Sequence, residues 1–114
     1  IKKENGMEKI FNKLVRDNIP EIIKSKNETP FIRILSDNEY KRELFRKLTE
    51  ECNEVISTSK KDELLEELAD VLEVVRALAK TENESLENII ELADEKAKIR
   101  GAFNSKIFLE KTSD

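Results

Sequence analysis

The sequence contains no histidine, no tryptophan, one cysteine, two glycines and two prolines among its 114 residues. Without histidine, the chain cannot build a Ser-His-Asp triad, a Cys-His nucleophile pair or a histidine-based zinc site. The single cysteine, Cys52, excludes an internal disulfide. Its place in an apolar helical stripe favours a buried small side chain over a reactive thiol. Any chemistry must therefore rest on carboxylates, lysine, arginine, hydroxyl groups or a bound ion.

Turn-forming residues are scarce, whereas charged residues make up 40% of the chain and hydrophobic residues 38%. A composition this rich in Glu, Lys and Leu is typical of helices. The net charge of −4 argues against a nucleic-acid partner, because nucleic-acid-binding surfaces are basic. No apolar run approaches about 18 residues and no secretory signal is visible, so we expect a cytoplasmic protein with no membrane partner.

The chain length predicts one domain. Residues 1–6 are polar and unpatterned, and we interpret them as a disordered leader or expression remnant ahead of a single domain over 7–114. Apolar spacing, capping residues and Pro20 predict four helices, at about residues 20–26, 37–56, 63–80 and 85–100.

The pattern at the helix ends supports these boundaries. Ser36 and Glu39 have the spacing of a capping box, Asp62 is placed to cap the next helix, and Gly101 is placed to end the last one. The short turn before Asp62 makes the two middle helices an antiparallel hairpin. The predicted fold class is all-α: a hairpin plus a third long helix, with short strands expected near Phe31–Leu35 and Lys106–Glu110 that could pair with each other.

Two acidic pairs with the spacing E-x-x-[DE] lie at the margins of the apolar stripes of the hairpin: Glu51 with Glu54, and Glu67 with Asp70. At about 100° per residue, Glu51 falls inside the apolar arc of its helix, and the other three fall at the border. Other acids of the same stretches are expected to face water: Glu50, Glu66 and Glu73.

In an antiparallel hairpin the two pairs can face each other, so that four carboxylates converge. Four partly desolvated negative charges repel one another unless a cation joins them. Ligand sets made only of oxygen select Mg²⁺, Mn²⁺ or Ca²⁺ over zinc. In a chain with 25 acidic residues, either pair alone suits a solvated helix surface; the recurrence on both helices favours a metal site.

Two basic pairs are candidates for binding a polyphosphate beside such a metal: Lys13 with Arg16, and Lys96 with Arg100. Each pair also has a simpler interpretation. Lys96 and Arg100 suit a helix C-terminus, where they complement the helix dipole, and Lys13 and Arg16 suit an ordinary charged surface.

Two acidic segments resemble the E-x-x-E, spacer, E-x-x-D signature of the all-α NTP pyrophosphatase superfamily, which includes MazG, dimeric dUTPases and phosphoribosyl-ATP pyrophosphohydrolase: EECNE (50–54) and EELAD (66–70). Three flanking segments resemble the phosphoribosyl-ATP pyrophosphohydrolase-like, predicted house-cleaning branch of MazG relatives: KLVRDNIPEII (13–23), RIL (33–35) and KIRGAFNSKIFLE (98–110). The resemblance covers roughly residues 13–110. It departs at Asn18 and Ala102, where relatives commonly carry lysine and glycine.

The resemblance implies a Mg²⁺-dependent hydrolase, with Mn²⁺ as a substitute, that splits a nucleoside triphosphate into a monophosphate and pyrophosphate. It implies a homodimer or homotetramer with a helical bundle around each site. The metal ligands implied are Glu51, Glu54, Glu67 and Asp70. The substrate-side residues implied are Lys13, Arg16, Asp17, Lys96 and Arg100.

Phosphoanhydride hydrolysis needs charge neutralisation and a positioned water, and Glu51, the deepest acid on the helical wheel, is our candidate base. Tyr40 and Phe103 are candidates for stacking on a nucleobase, although a place in the core is the favoured interpretation of each. Three alternatives stay open: a phosphoribosyl-ATP pyrophosphohydrolase of histidine synthesis, a non-catalytic nucleotide-binding or regulatory module, and a plain helical oligomerisation module.

Overall fold

A computed structural model describes residues 8–114, which form four α-helices and, within that range, no strand. The helices are α1 (Ile19–Ser25), α2 (Asp37–Ser57), α3 (Lys61–Thr81) and α4 (Leu86–Arg100). The all-α class is confirmed, and the predicted leader at residues 1–6 lies outside the described residues. The strands expected near Phe31–Leu35 and Lys106–Glu110 are wrong: both segments lack regular secondary structure, because a strand needs a neighbouring strand to accept its hydrogen bonds.

The start of α2 is fixed by the predicted capping box. The Ser36 hydroxyl accepts from the Glu39 N–H at 3.3 Å, and the Glu39 carboxylate accepts from the Ser36 N–H at 3.3 Å. Arg33 donates to both Glu39 oxygens, at 3.2 and 3.1 Å. These hydrogen bonds, the one from Arg33 foremost and the Ser36 N–H next, lower the pKa of Glu39 to about 2. Because α2 starts at a fixed residue, the direction in which Glu51 points is fixed too.

A short connection, Thr58 to Lys60, joins α2 to α3. The Thr58 hydroxyl and N–H both donate to the Val55 carbonyl, which closes the end of α2. Helix α3 begins at Lys61, so the expected capping role of Asp62 is wrong. Asp62 lies inside the first turn, where its negative charge interacts favourably with the positive end of the helix dipole.

The chain divides into two compact units whose boundary falls within α3, one ending at Val74 and the other beginning at Val75. The earlier unit contains α1, α2 and most of α3, and its buried apolar side chains are Leu44 and Val74. The later unit contains the end of α3 and all of α4, with Ala79 and Leu86 buried. Organisation as a single domain stays a prediction. Among the described helices, none has the length and apolar character needed to cross a bilayer.

Much of the apolar stripe on α2 and α3 lies open in this chain. Leu65, Leu68 and Leu72 are about half exposed, and Phe45 is exposed to the same degree. The prediction of a buried Cys52 is wrong, since its side chain is exposed. Helical periodicity identified the apolar face correctly, but the described residues do not cover all of it.

Helix α4 begins after Ser85, whose hydroxyl accepts from the Asn88 N–H at 3.1 Å while the Asn88 side chain accepts from the Ser85 N–H at 2.9 Å. It ends where predicted, at Gly101, which has φ +84° and donates its N–H to the Ala97 carbonyl at 2.8 Å. Ala102 is absent from the residues with positive φ, so its backbone does not require the glycine that relatives carry.

Candidate metal and phosphate site

Three of the four predicted ligands converge where α2 and α3 lie side by side. Glu51 of α2 and Glu67 and Asp70 of α3 each offer an oxygen, and these oxygens all lie within 4.8 Å of one another. All three residues are half-buried. Oxygen atoms collected within this distance can share one hard cation, whose ligand bonds are about 2.0–2.6 Å long. The donor set therefore fits Mg²⁺, Mn²⁺ or Ca²⁺, and the ligand roles themselves stay predictions.

Glu67 is the most electrostatically crowded member of this carboxylate cluster. Its pKa is raised by burial first, then by the hydrogen bond and charge of Asp70, and then by the charges of Glu51 and Glu54. Each of these effects disfavours the ionised carboxylate. The mutual repulsion that predicted a cation from the sequence is therefore present in the folded hairpin, and a divalent ion would relieve it.

Glu54 stands apart from the other three predicted ligands. It is exposed and is not among the oxygens within 4.8 Å, although its charge still acts on Glu67. Glu54 and Glu67 both line an open cavity of about 250 Å³ at the turn of the hairpin. The lining of this cavity is largely acidic: Glu54, Ser57, Thr58, Glu63, Glu66 and Glu67. Glu54 lies about one helical turn from Glu51, and its ligand role stays a prediction.

Two predicted phosphate-binding residues lie at the acidic residues of the hairpin. Arg16 donates from Nη2 to Asp70 Oδ1 at 2.6 Å, and Lys13 donates from Nζ to Glu50 Oε2 at 3.5 Å. These contacts join the segment ahead of α1 to Asp70, which comes 54 positions after Arg16, and to Glu50, which comes 37 positions after Lys13. The structure thus brings Arg16 and Lys13 beside the proposed metal site, where they neutralise acids directly.

Lys47 is a site residue that the sequence reasoning missed. Its Nζ lies 3.3 Å from Glu50 Oε1 and 3.7 Å from Glu51 Oε2, and its side chain is only 19% exposed. The signal was present, because Lys47 precedes the two glutamates by three and four residues on one helix. Lys47 therefore brings a positive charge next to Glu51.

The prediction that Glu50 faces only water is wrong, because its carboxylate lies between Lys47 and Lys13. Burial acts to raise its pKa, but the hydrogen bonds and charges of the two lysines outweigh burial and lower it. A helical wheel shows one helix only and could not reveal Lys13, which comes from another segment. Of the other acids expected to face water, Glu66 does so and Glu73 is half-buried.

The remaining predicted site residues are exposed, except for Tyr40. Lys96 and Arg100 are exposed on the last turns of α4, in the later unit, and their phosphate role stays a prediction. Asp17 is exposed in the turn ahead of α1, and its role also stays a prediction. Phe103 is 97% exposed, so its interpretation as a core residue is wrong, whereas Tyr40 is half-buried on α2.

The fold and the site together define a class: all-α proteins that carry a cluster of carboxylates on a helical hairpin. The sequence profile of the MazG nucleotide pyrophosphohydrolase domain matches residues 40–101, more than half of the chain and all four predicted ligands. The chain therefore belongs to the MazG nucleotide pyrophosphohydrolase domain family.

Comparison with curated proteins gives a relative described as an uncharacterized protein, from Mycolicibacterium smegmatis (strain ATCC 700084 / mc(2)155). It is 49% identical over 53 residues, which cover 46% of this chain and 54% of the relative. The matched part is thus about half the length of that relative. No solved structure matches the chain.

Proposed function

We propose that this protein is a Mg²⁺-dependent nucleotide pyrophosphohydrolase that cleaves a nucleoside triphosphate between the α and β phosphates. The products are a nucleoside monophosphate and pyrophosphate, and the proposed role is house-cleaning of non-canonical nucleotides. The observation that carries the proposal is the convergence of Glu51, Glu67 and Asp70 inside the segment that matches the family.

In this proposal Glu51, Glu67 and Asp70 hold Mg²⁺, or Mn²⁺ in its place, with Glu54 as a fourth carboxylate. When bound, the ion neutralises charge on the phosphate oxygens and lowers the pKa of a coordinated water. Catalysis of phosphoryl transfer consists largely of such positioning and charge stabilisation, so no protein nucleophile is needed.

Glu51 is the candidate general base. Its side chain is 14% exposed, against 38% for Asp70, so it has the more enclosed position of the two. It would accept the proton of the attacking water as the water oxygen bonds to phosphorus and pyrophosphate leaves. Lys47 Nζ lies 3.7 Å from Glu51 Oε2 and brings a positive charge next to the candidate base.

Arg16 and Lys13 are proposed to bind the phosphates. Both side chains are about half exposed, so each can reach solvent and substrate from its present position. A phosphate bound at the metal would offer them additional acceptor oxygens at short range. Asp17, Lys96 and Arg100 complete the proposed substrate-side set. We further propose a homodimer or homotetramer as the working assembly.

The test is a broad nucleotide panel, including modified and damaged nucleotides and phosphoribosyl-ATP, with pyrophosphate detection in the presence and absence of Mg²⁺. Glu67→Gln and Asp70→Asn are expected to abolish turnover while the helical circular-dichroism signal is retained. Glu66→Gln is the matched control, because Glu66 is an exposed neighbour on the same helix and outside the carboxylate cluster.

The panel also separates the alternatives. Selective turnover of phosphoribosyl-ATP would assign the protein to histidine synthesis, since the same carboxylate chemistry serves that substrate. Nucleotide binding by calorimetry without product would identify a binding module. If no nucleotide is turned over and neither Mg²⁺ nor Mn²⁺ binds, the proposal is refuted.

A further inference from the structure

The chain leaves an apolar segment uncovered near its end. We define the carboxy-terminal arm as residues 106–110; within it Ile107, Phe108 and Leu109 are 85%, 87% and 74% exposed. The three follow one another directly, after Lys106, whose φ is +60°. All three side chains are open to water, which is typical of a segment that a partner covers, and in a strand they would alternate between its two faces.

A second segment has the same character. We define the extended loop as residues 30–35, between α1 and α2; within it Phe31, Ile32 and Ile34 are 89%, 63% and 88% exposed. Neither the loop nor the arm belongs to a helix or strand. Both are rich in the β-branched and aromatic residues that strands favour, so each is a candidate to form a strand beside a second strand.

We propose that the carboxy-terminal arm of one copy pairs as a β-strand with the extended loop of a second copy, and that the exchange is reciprocal. A two-fold axis makes the same contact twice, so that each of the four segments gains one pairing partner. In an antiparallel register that sets Ile107 opposite Ile34, Leu109 falls opposite Ile32. The aliphatic residues of the two segments then share one face of the ladder.

The exposed surface of the two segments sets an upper limit for the interface. Six side chains this exposed offer at most on the order of 900 Å² in each pairing and roughly 1,800 Å² in two pairings, a limit that lies within the range of about 1,200–2,000 Å² that specific interfaces bury. The chain also has reason to associate, because only Leu44, Val74, Ala79 and Leu86 form its buried apolar core among the described residues. A second copy is favoured over an unrelated protein because each chain supplies both halves of the contact.

The first experiment uses two variants of the full chain and their mixture, with the association state measured by analytical ultracentrifugation. Ile107→Asp damages the arm and Ile34→Asp damages the loop, so each variant alone retains no intact pairing. Each is expected to weaken dimerisation at least 100-fold or so, because two apolar anchors per dimer are lost. Their equimolar mixture rebuilds one intact pairing and is expected to recover dimer by about tenfold or more.

Ile10→Asp is the matched control, since Ile10 is 74% exposed and lies outside both segments. Three results would overturn the proposal: a wild-type chain that stays monomeric at every concentration, an undiminished dimer in either variant, or a mixture no more dimeric than its components. An Ile10→Asp variant as weakened as Ile107→Asp would also overturn it, because general loss of apolar surface would then suffice.

Hydrogen exchange on the wild-type chain tests the proposal without any substitution that might disturb folding. Amides of residues 31–35 and 107–110 are expected to be protected in the assembled state and to lose protection together on dilution. Exchange at the rate of an unstructured peptide in the assembled state would refute the pairing. The outcome does not depend on catalytic activity, so it stands or falls separately from the proposed function.

Discussion

Replacing Glu67 with glutamine is expected to change the stability of this protein in opposite directions with and without a divalent cation. Burial and the neighbours Asp70, Glu51 and Glu54 raise the pKa of Glu67, so its ionised form is disfavoured in the folded state. Glutamine has nearly the same shape and no charge. In a chelator at neutral pH, Glu67→Gln should therefore melt at a higher temperature than the wild type.

The pH dependence follows from the sign of the shift. Because the folded-state pKa lies above the ordinary value of 4.5, the wild type loses stability as pH rises from that value through the raised one. Below the ordinary value, Glu67 is protonated in both the folded and the unfolded chain. The advantage of Glu67→Gln in chelator should accordingly be full at neutral pH and should disappear as pH falls below about 4.5.

With Mg²⁺ the order reverses. At a concentration 100 times its dissociation constant, a ligand that binds only the folded chain stabilises it by about 2.7 kcal/mol, which is roughly 10–20 °C for a domain of this size. If losing one of three clustered carboxylates weakens Mg²⁺ binding 100-fold or so, Mg²⁺ at the same concentration stabilises the variant by only about one-seventh as much as the wild type. The wild type should then be the more stable protein.

The assay is thermal melting by circular dichroism in chelator and in MgCl₂, with ionic strength matched by NaCl because surface charges are screened by any salt. Glu66→Gln, on the exposed face of the same helix, should follow the wild type in both buffers. A Glu67→Gln chain that melts lower in chelator, or one that keeps the full Mg²⁺ gain, would refute the electrostatic account of the carboxylate cluster.

Three other substitutions test separate contacts. Lys47→Met should weaken Mn²⁺ binding, followed by electron paramagnetic resonance, by about 10–100-fold, because partners of metal-bound carboxylates orient them. Arg16→Gln should raise KM for the nucleotide by about 10–100-fold with a smaller change in kcat, since it removes the charge-assisted hydrogen bond to phosphate that we propose. Ser36→Ala should lower the free energy of unfolding by about 1 kcal/mol in urea denaturation, because the α2 cap is lost.

Each of these predictions has an outcome that contradicts it. Unchanged Mn²⁺ affinity in Lys47→Met would reduce Lys47 to a helix-surface ion pair, and Lys47→Arg serves as the control that keeps the charge. A KM unchanged by Arg16→Gln would limit Arg16 to pairing with Asp70. A Ser36→Ala chain with wild-type stability would show that Arg33 and Glu39 fix the start of α2 without the hydroxyl.

Local signals in the sequence were enough to place the helices. Ser36 with Glu39 marks a helix start and Gly101 a helix end through interactions with neighbours a few residues away, whereas the capping pair Ser85 and Asn88 was not predicted. The spacing of Glu51 against Glu67 and Asp70 likewise survives in three dimensions, because a short turn leaves two helices few ways to pack. Interactions of this kind are local or nearly so, and the sequence therefore displays them.

Contacts between distant segments were less visible. Arg16 reaches Asp70 across 54 positions, and Lys13 reaches Glu50 across 37, so no periodicity within one helix could pair them. The resemblance to a family grouped Lys13 and Arg16 with the site, but it could not say which acids they contact. For the same reason the helical wheel predicted that Glu50 faces water, since a wheel shows no residue from outside its own helix.

The errors about apolar residues share one direction. Cys52, Phe103 and the two expected strands were predicted to be buried or paired, and in this chain each is exposed or without a strand partner. Random misreading of periodicity would produce errors of both kinds, with some residues more buried than expected. Apolar residues that are spaced for burial but exposed in a single chain are typical of proteins that associate. The reciprocal exchange of arm and loop would turn the two missing strands from errors of interpretation into strands that form only when a second copy is present.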